Sequence, residues 1–468
     1  MPPAWTRRQF HRGALATAAL AGCGRKSSET DSGPSDPRDE DTAATLRGVI
    51  FITADDLGWK DLSAYGLTAI ETPAIDRLVH EGVAFSHCFD VVSTCSSSRA
   101  TYVTGQYPHT HGVTGLVHRM PELSLPTDHP TSIRRMEAAG WDIAIQGKWH
   151  LAFGEWAEAF GYGQYLTTDI DQVIRTADEV IRFLETDRDV PFFLELNYMQ
   201  PHRDTQGEYI QREDYPVDVD AASPPSWWGL PDWPEIREEV AGYLSRVRWM
   251  DDLIGQVLDT LDARGMADDV LVVFISDNGP AFPGCKTTLY DRGTGTPLMF
   301  RWPAALAPAW HDHLVPSVDI APTLLDLMGL PALETAEGRS IAPLLRGEDF
   351  TPATVLFSEM ESHGGGPKPA RAARTTRHKY IRNLDDQPWG DGGGDGEWKA
   401  RLADEPDQTW DEARPPEELF DLEADPLERN NLVDDPAMAG VLAELRAALL
   451  EHAVATADFR ADEIPVYG

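Results

Sequence analysis

The chain has 468 residues, enough for a large domain and a smaller one, because single hydrophobic cores stop growing at roughly 250 to 300 residues. Its formal net charge is −37, with 77 Asp and Glu against 40 Lys and Arg, of which only seven are lysine. A surface this acidic repels nucleic acid and anionic lipid, which argues against a phosphate-backbone partner, and the scarcity of lysine suits either a high-salt habitat or a GC-rich genome.

The first residues carry the pattern of an export signal. Arg7 and Arg8 form a twin arginine, a short apolar run follows, and Leu20-Ala21-Gly22-Cys23 has the form of a lipobox. The apolar run is too short to span a bilayer. Residues 1–23 are therefore expected to export an already folded chain and to leave Cys23 as a lipidated N-terminus, the alternative being a plain signal with an incidental cysteine. The expected location is periplasmic or at the cell surface, as a membrane-anchored lipoprotein. Residues 24–46 are polar and acidic and read as a disordered tether. Cys88, Cys95 and Cys285 are too few for a disulfide scaffold, although a Cys88–Cys285 bridge stays open.

From residue 47 to about 350, short apolar runs alternate with helical periodicity, which predicts an α/β sandwich: a large, mostly parallel sheet flanked by helices. Four predicted strands end on polar residues. The run 48–53 stops at Ala54-Asp55-Asp56, 142–146 at Gly147-Lys148-Trp149-His150, 191–199 at Gln200-Pro201-His202, and 269–276 at Asp277-Asn278-Gly279. Ligands of open α/β sheets sit beyond the carboxyl ends of the strands, so these residues are expected at one edge. Each is also an ordinary turn former, and it is their coincidence that points to a site. Between the strands, apolar residues at 236, 240, 243, 247, 250, 254, 257 and 261 predict a core-facing helix over 234–264 capped by Gly265. Residues 171–185 predict another. Beyond 350 the texture turns Gly-rich around a strand-like stretch at 378–384, with a last helix over about 436–453. Residues 351–468 are expected to form a smaller subdomain with a short antiparallel sheet.

Asp55, Asp56, Asp277 and Asn278 are hard oxygen donors, a set that favours Ca²⁺, or less well Mg²⁺, over zinc. Cys95 opens a predicted helix whose serines are of capping type. The helix N-terminus and Arg99, one turn on, are expected to lower its pKa. Arg99, Lys148 and Lys286 with a divalent metal suit an anionic, tetrahedral oxyacid ester, and His150 and His202 suit proton transfer.

At this point the segments "TADDLGW", "CSSSRATYVTGQYPHTHGV", "GKWH", "QPHR", "SDNG" and "ELFDLEADPLERNNL" together resemble the type I sulfatases of the alkaline phosphatase superfamily, in that family's order, from about residue 47 to the C-terminus. Within it, "PFFLELNYMQPHR" and "SDNGPAFPGCKTTLYDRGTGTPL" look most similar to N-sulfoglucosamine sulfohydrolases. That subgroup has Asp where this chain has Gln200 and Arg where it has Lys286, both expected in the substrate pocket.

The resemblance implies an alkaline-phosphatase-like sandwich and a hydrolase for sulfate esters or sulfamates on sulfated carbohydrate. It implies that a separate maturation enzyme oxidises Cys95 to Cα-formylglycine, whose hydrate attacks sulfur, aided by Ca²⁺ on Asp55, Asp56, Asp277 and Asn278. Arg99 would stabilise the formylglycine, and Lys148 would bind its hydrate and the sulfate. Lys286 would neutralise sulfate charge, His202 would protonate the leaving atom, and His150 would expel sulfate. The family's maturation signature carries Pro or Ala two residues after the cysteine, where this chain has Ser97.

Two rival readings remain: a phosphodiesterase or phosphonate hydrolase on the same scaffold, and an inactive surface glycan-binding homologue. The aromatic stretch 223–236 reads either as a sugar-stacking rim or as a packed loop over the core. His109 and His111 are expected to be exposed, touching the site edge or bonding a turn.

Overall fold

A computed structural model describes residues 46–154, 156–166, 173–363, 366–390, 397–405 and 412–465. The export signal with Cys23, and all but the last residue of the acidic tether, lie outside the described residues. The large sheet contains β1 (Gly48–Asp55), β2 (Val83–Phe89), β3 (Asp142–Gly147), β4 (Gln164–Tyr165), β5 (Phe192–Pro201), β6 (Val270–Ser276), β7 (Gly295–Arg301) and β8 (Ala309–Pro316). Their order is β4-β3-β5-β1-β6-β7-β2-β8. The pairings are parallel except where β7 meets β6 and β2. Central β1 and β6 are buried throughout, which explains why they read as unbroken apolar runs rather than alternating ones.

Side chains of successive strand residues leave the sheet on opposite faces, and two cores result. Ile50, Ile52 and Ala54 join the core that holds the helix α4 described below, whereas Val49 and Phe51 join the core on the other face. Helices α1 (Pro73–Glu81), α2 (Cys95–Thr104), α3 (Asp178–Glu185), α4 (Pro234–Ala263) and α5 (Ile320–Leu327) cover the sheet. The eight residues expected to form the α4 stripe are all fully buried. Gly265 closes that helix at φ 62°, its N–H donating to the Asp262 carbonyl, a left-handed step that L side chains resist. The helix expected over 171–185 is shorter: residues 173–176 have no regular structure and α3 starts at Asp178, where the apolar period locks onto Val180, Phe183 and Leu184.

The bridge left open between Cys88 and Cys285 is not formed; both thiols are free and buried. Cys88 packs in the core on one face of the sheet and Cys285 in the core on the other.

The second sheet is antiparallel, in the order β12-β11-β10-β9, from β9 (Leu356–His363), β10 (Gly366–Arg374), β11 (His378–Asn383) and β12 (Glu417–Asp421). The last helix, α6 (Ala439–Ala455), packs Leu442, Leu445, Leu449 and Ala453 on Ala373, Tyr380 and Leu419. The other face of this sheet holds Leu289 and Tyr290 of the loop after β6. The small sheet therefore supports the loop that carries Lys286. No helix among the described residues is long and apolar enough to cross a membrane.

Candidate active site

β1, β3, β5 and β6 are consecutive neighbours in the sheet, so their carboxyl ends deliver Asp55-Asp56, Lys148-His150, His202 and Asp277-Asn278 to one edge, as the sequence predicts. The chain leaves β3 at Gly147 with φ 92°; a Cβ there would stand 2.0 Å from the Asn197 carbonyl oxygen, so only glycine lets β3 hug β5 while Lys148 turns off. Two non-glycine residues at this edge also adopt positive φ, Asp56 at 69° and Thr287 at 71°. For the β-branched Thr287 the conformation is strained by roughly 1 to 3 kcal/mol. Surrounding bonds hold it: its N–H donates to Ser93 Oγ at 2.9 Å and its hydroxyl to the Trp389 carbonyl at 3.2 Å.

α2 starts at Cys95 and ends at Gly105, in the left-handed region, and every residue of it is buried. The expected serine caps are not used. Thr94 is the N-cap and makes no side-chain cap bond, and the serines lie within the first turn. Ser96 Oγ accepts from Val117 N–H at 3.2 Å and Ser98 donates to the Val92 carbonyl at 2.8 Å. Ser97 Oγ is buried with no partner.

Cys95 Sγ lies 3.5 Å from Asp55 Oδ1, 3.6 Å from Asn278 Oδ1 and 3.2 Å from Lys286 Nζ. Ligand atoms of Asp55, Asp56, Cys95 and Asp277 all fall within 4.8 Å of one another. Lys148 pairs with Asp55, and Lys286 with Asp56 at 2.5 Å. Asn278 donates to Asp56 Oδ1 at 2.8 Å. His202 Nε2 stands 3.7 Å from Asp56 Oδ2, an oxygen that is buried without a hydrogen bond.

The electrostatics correct one expectation. Burial, reinforced by Asp277 and Asp55, pushes the Cys95 thiol up to about 12, against the pull of Lys148 and Lys286. Arg99 gives its close contacts to carboxylates rather than to the thiol. It turns to the carboxylates, with Nε 3.0 Å and Nη2 2.8 Å from Asp277 Oδ2 and Nη2 3.7 Å from Asp55. A helix N-terminus lowers a thiol where the thiol is partly solvated, whereas here three carboxylates share a buried pocket with it. Burial and the charge of Asp55 raise Asp277 to about 6; burial also acts to raise Asp55, but Lys148, His202, Arg99 and Lys286 outweigh it and hold it well below the usual range. Burial and then Lys148 and Arg99 keep His150 neutral, its pKa well below the ordinary value, and burial lowers His202 as well.

Other predicted residues fall elsewhere. Gln200 is fully buried and donates to the Ile174 carbonyl at 2.9 Å, so it braces the turn before His202 instead of lining an open pocket. His109 and His111 are not exposed. His109 pairs with Glu359, and buried His111 meets Thr101 Oγ1 at 3.2 Å. Within 223–236, Trp228 is buried and stacks on Phe282, and the indoles of Trp227 and Trp228 both donate to buried Asp61, which fits the packed-loop reading.

Two histidines escaped the sequence reading. His118, in the loop after the α2 turn, is stacked on His150 and its Nδ1 lies 2.8 Å from His150 Nε2. His363 ends β9. Neither sits at the end of a predicted strand of the large sheet, the signal that identified the others.

A charge-dense pocket with a nucleophile-position side chain, two lysines and two histidines at the edge of this sheet defines a hydrolase of tetrahedral oxyacid esters. Residues 47–330 match the model of the Sulfatase family, and residues 285–390 match N-sulphoglucosamine sulphohydrolase, C-terminal. The chain belongs to the sulfatase family, whose members act on sulfuric esters or sulfamates. It is 29% identical to human (Homo sapiens) N-sulphoglucosamine sulphohydrolase over 87% of this chain and 89% of that protein. An enzyme solved in complex with its substrate D-glucosamine-2-N,6-O-disulfate shares the fold with a TM-score of 0.70 at 21% identity, covering 90% of this chain and all of that one. The phosphonate monoester hydrolase of Silicibacter pomeroyi also shares it, with a TM-score of 0.64 at 20% identity, covering 88% and 96%.

Proposed function

We propose that this sulfatase is exported and acts on sulfated carbohydrate, with an N-sulfoglucosamine-like residue as the sugar, using Cα-formylglycine made from Cys95 and one Ca²⁺. The observation that carries the reading is the place of Cys95, 1% exposed at the start of α2 with Sγ 3.5 Å from Asp55 Oδ1, 3.6 Å from Asn278 Oδ1 and 3.2 Å from Lys286 Nζ. That is the position from which a nucleophile reaches a sulfate held by the metal ligands and the two lysines, the position the resemblance gives to formylglycine. The likeness to human N-sulphoglucosamine sulphohydrolase along most of both chains, and the match of residues 285–390, support the sugar class.

The residues fit the metal. Asp55, Asp56 and Asp277 converge around Cys95, Asn278 bonds into the cluster, and one carboxylate oxygen of Asp56 is left unbonded although Lys148, Lys286 and Arg99 pair with the three carboxylates. Asp55, Asp56, Asp277 and Asn278 would hold Ca²⁺, which supplies Lewis-acid polarisation of a sulfate oxygen, while hydrated formylglycine supplies an oxygen nucleophile.

The chain's own residues do the remaining work. Lys148 and Lys286 offset the charge of the sulfate, Arg99 fixes Asp277, and His202 protonates the leaving oxygen or nitrogen. His150, its Nε2 tied to His118 and its Nδ1 buried without a partner, is poised to take up a proton.

Mass spectrometry of the peptide spanning Cys95, from protein made with its native maturation system, tests the reading: conversion of thiol to aldehyde lowers the mass by about 18 Da at the nucleophile position. Free thiol alone sinks the mechanism, and the unpartnered Ser97 hydroxyl marks where the conversion signature departs from the family's. A panel of N-, 2-O-, 4-O- and 6-O-sulfated sugars against aryl phosphates tests the substrate. A preference for phosphate transfers the assignment to the phosphorus-cleaving reading, a chemistry that the phosphonate monoester hydrolase carries on the same fold. Export and lipid anchoring rest on Arg7, Arg8 and Cys23. Release of Cys23→Ser protein into the soluble fraction is the expected result.

A further inference from the structure

The catalytic neighbourhood contains a polar atom that the roles above leave unused. Nε2 of His363 is covered from solvent and makes no hydrogen bond. Buried polar groups without partners are uncommon and destabilising, so each asks for an explanation.

His363 is fixed in place from both sides of the chain. The preceding residue, Ser362, donates to the Thr114 carbonyl at 3.1 Å, and a Cβ on Gly115 would stand 2.3 Å from Ser362 Oγ. The end of β9 is therefore clamped on the loop that carries His118, and through it His150. Opposite His363 in the hairpin stands Gly366, and two residues further along β10 comes Lys368, whose ammonium donates to the Trp389 carbonyl. Trp389 is the same residue whose carbonyl accepts from Thr287, beside Lys286.

Burial, and then Lys286, Lys368, His202 and His118, keep the imidazole neutral, far below its ordinary pKa; each of these four groups is a base rather than a carboxylate. Neutral imidazole can donate or accept at Nε2 according to its tautomer. The hairpin bonds above hold His363 between the loop of His118 and the loop of Lys286, and the charges of Lys286 and His202 both act on it; His202 is the group that protonates the departing atom, and the departing group is the sugar.

We propose that His363, supplied by the small C-terminal sheet, is a specificity-determining residue whose Nε2 hydrogen-bonds an oxygen substituent of the sugar that carries the scissile sulfate, a hydroxyl or a second sulfate. This rests on the carbohydrate reading given above. A site built to bond a substrate oxygen discriminates strongly against substrates that lack it.

The test compares kcat/KM for 4-nitrophenyl sulfate, which has neither a sugar hydroxyl nor a second sulfate, with kcat/KM for N-sulfoglucosamine and for glucosamine N,6-O-disulfate. In His363→Ala, the ratio of sugar to aryl activity is expected to fall roughly 10- to 100-fold, chiefly through KM, and His363→Gln should recover part of it. A fall confined to the disulfate identifies the second sulfate as partner, and a fall with both sugars identifies a hydroxyl. An unchanged ratio in both variants, whether the two activities drop together or stay level, overturns the inference. Wild-type protein that cleaves the aryl ester and neither sugar instead overturns the carbohydrate reading beneath it.

Discussion

Two buried ionic clusters stand side by side in this molecule, and they are built on opposite plans. Around Asp291 the charges close on each other. Arg374 forks onto both of its carboxylate oxygens at 2.9 and 2.7 Å, Lys379 reaches Oδ1 at 2.6 Å, and Lys379 also pairs with Glu428 at 2.7 Å. Around Cys95 they do not close. Asp56 Oδ2, Arg99 Nη1 and His150 Nδ1 are all buried there without hydrogen bonds, whereas the Asp291 cluster leaves only Glu428 Oε1 so, and Lys379 stands 2.7 Å from that atom; positive φ occurs in both, at Asp56 and Thr287 here and at Glu428 there. A structural network matches donors to acceptors, whereas a catalytic one keeps valences free for a metal and a substrate and leans on rigid surroundings to do so. The two clusters share a loop: Lys286 belongs to the open one, and Asp291, five residues on, to the closed one.

The sharpest way to break this contrast is Cys95→Ala. Sulfatase activity is expected to fall roughly 10⁴-fold, as when any enzyme loses its nucleophile, with the thermal midpoint little changed. Residual turnover within tenfold of wild type would remove Cys95 from the centre of the open cluster. In the closed cluster, Asp291→Asn strands Arg374 and Lys379 beneath the surface, and urea titration should show a loss of about 3 to 5 kcal/mol with turnover per folded molecule retained. A variant as stable as wild type would mean that the network is ornamental.

Third, adding Ca²⁺ to chelator-stripped protein at about 100 times its Kd is expected to add about 2.7 kcal/mol of stability and to restore activity better than Mg²⁺. Asp277→Asn should abolish that calorimetric response, and Asp291→Asn should leave it intact.

The smallest effect concerns a carboxylate in neither cluster. Asp251 accepts from the N–H groups of Ile75 and Ala74 at the start of α1, and burial raises it to about 7. A raised folded pKa means its contribution is complete below about pH 4 and is lost as pH climbs through 7. Asp251→Asn should therefore flatten the decline in thermal midpoint between pH 4 and 8. An identical pH slope in the variant would place the titration elsewhere.

The strand ends could be read from the sequence because they obey local rules: an apolar run of fixed length followed by polar residues. Asp55, Lys148, His202 and Asp277 all emerged that way, as did the α4 stripe and its Gly265 cap. What failed depended on depth. Spacing puts Arg99 one turn from Cys95 but says nothing of Asp277, 178 residues beyond Arg99, which claims its guanidinium. Cys88 and Cys285 gave no sign that a sheet would separate them. His118 and His363 lie in a turn and beside a Gly-rich stretch, where no periodicity marks a side chain as inward, and only tertiary packing stacks His118 on His150 and covers the His363 ring nitrogen.

The depth of Cys95 also fixes an order of events. All ten residues of α2 are buried, and the thiol is 1% exposed beneath loops from both sheets. A second protein cannot grip that segment once the molecule has closed, so any enzyme that rewrites Cys95 has to meet it as extended chain. On the formylglycine proposal the moment of activation would thus belong to synthesis, and a finished molecule carrying an untouched thiol would have no later opportunity to become a catalyst without unfolding first.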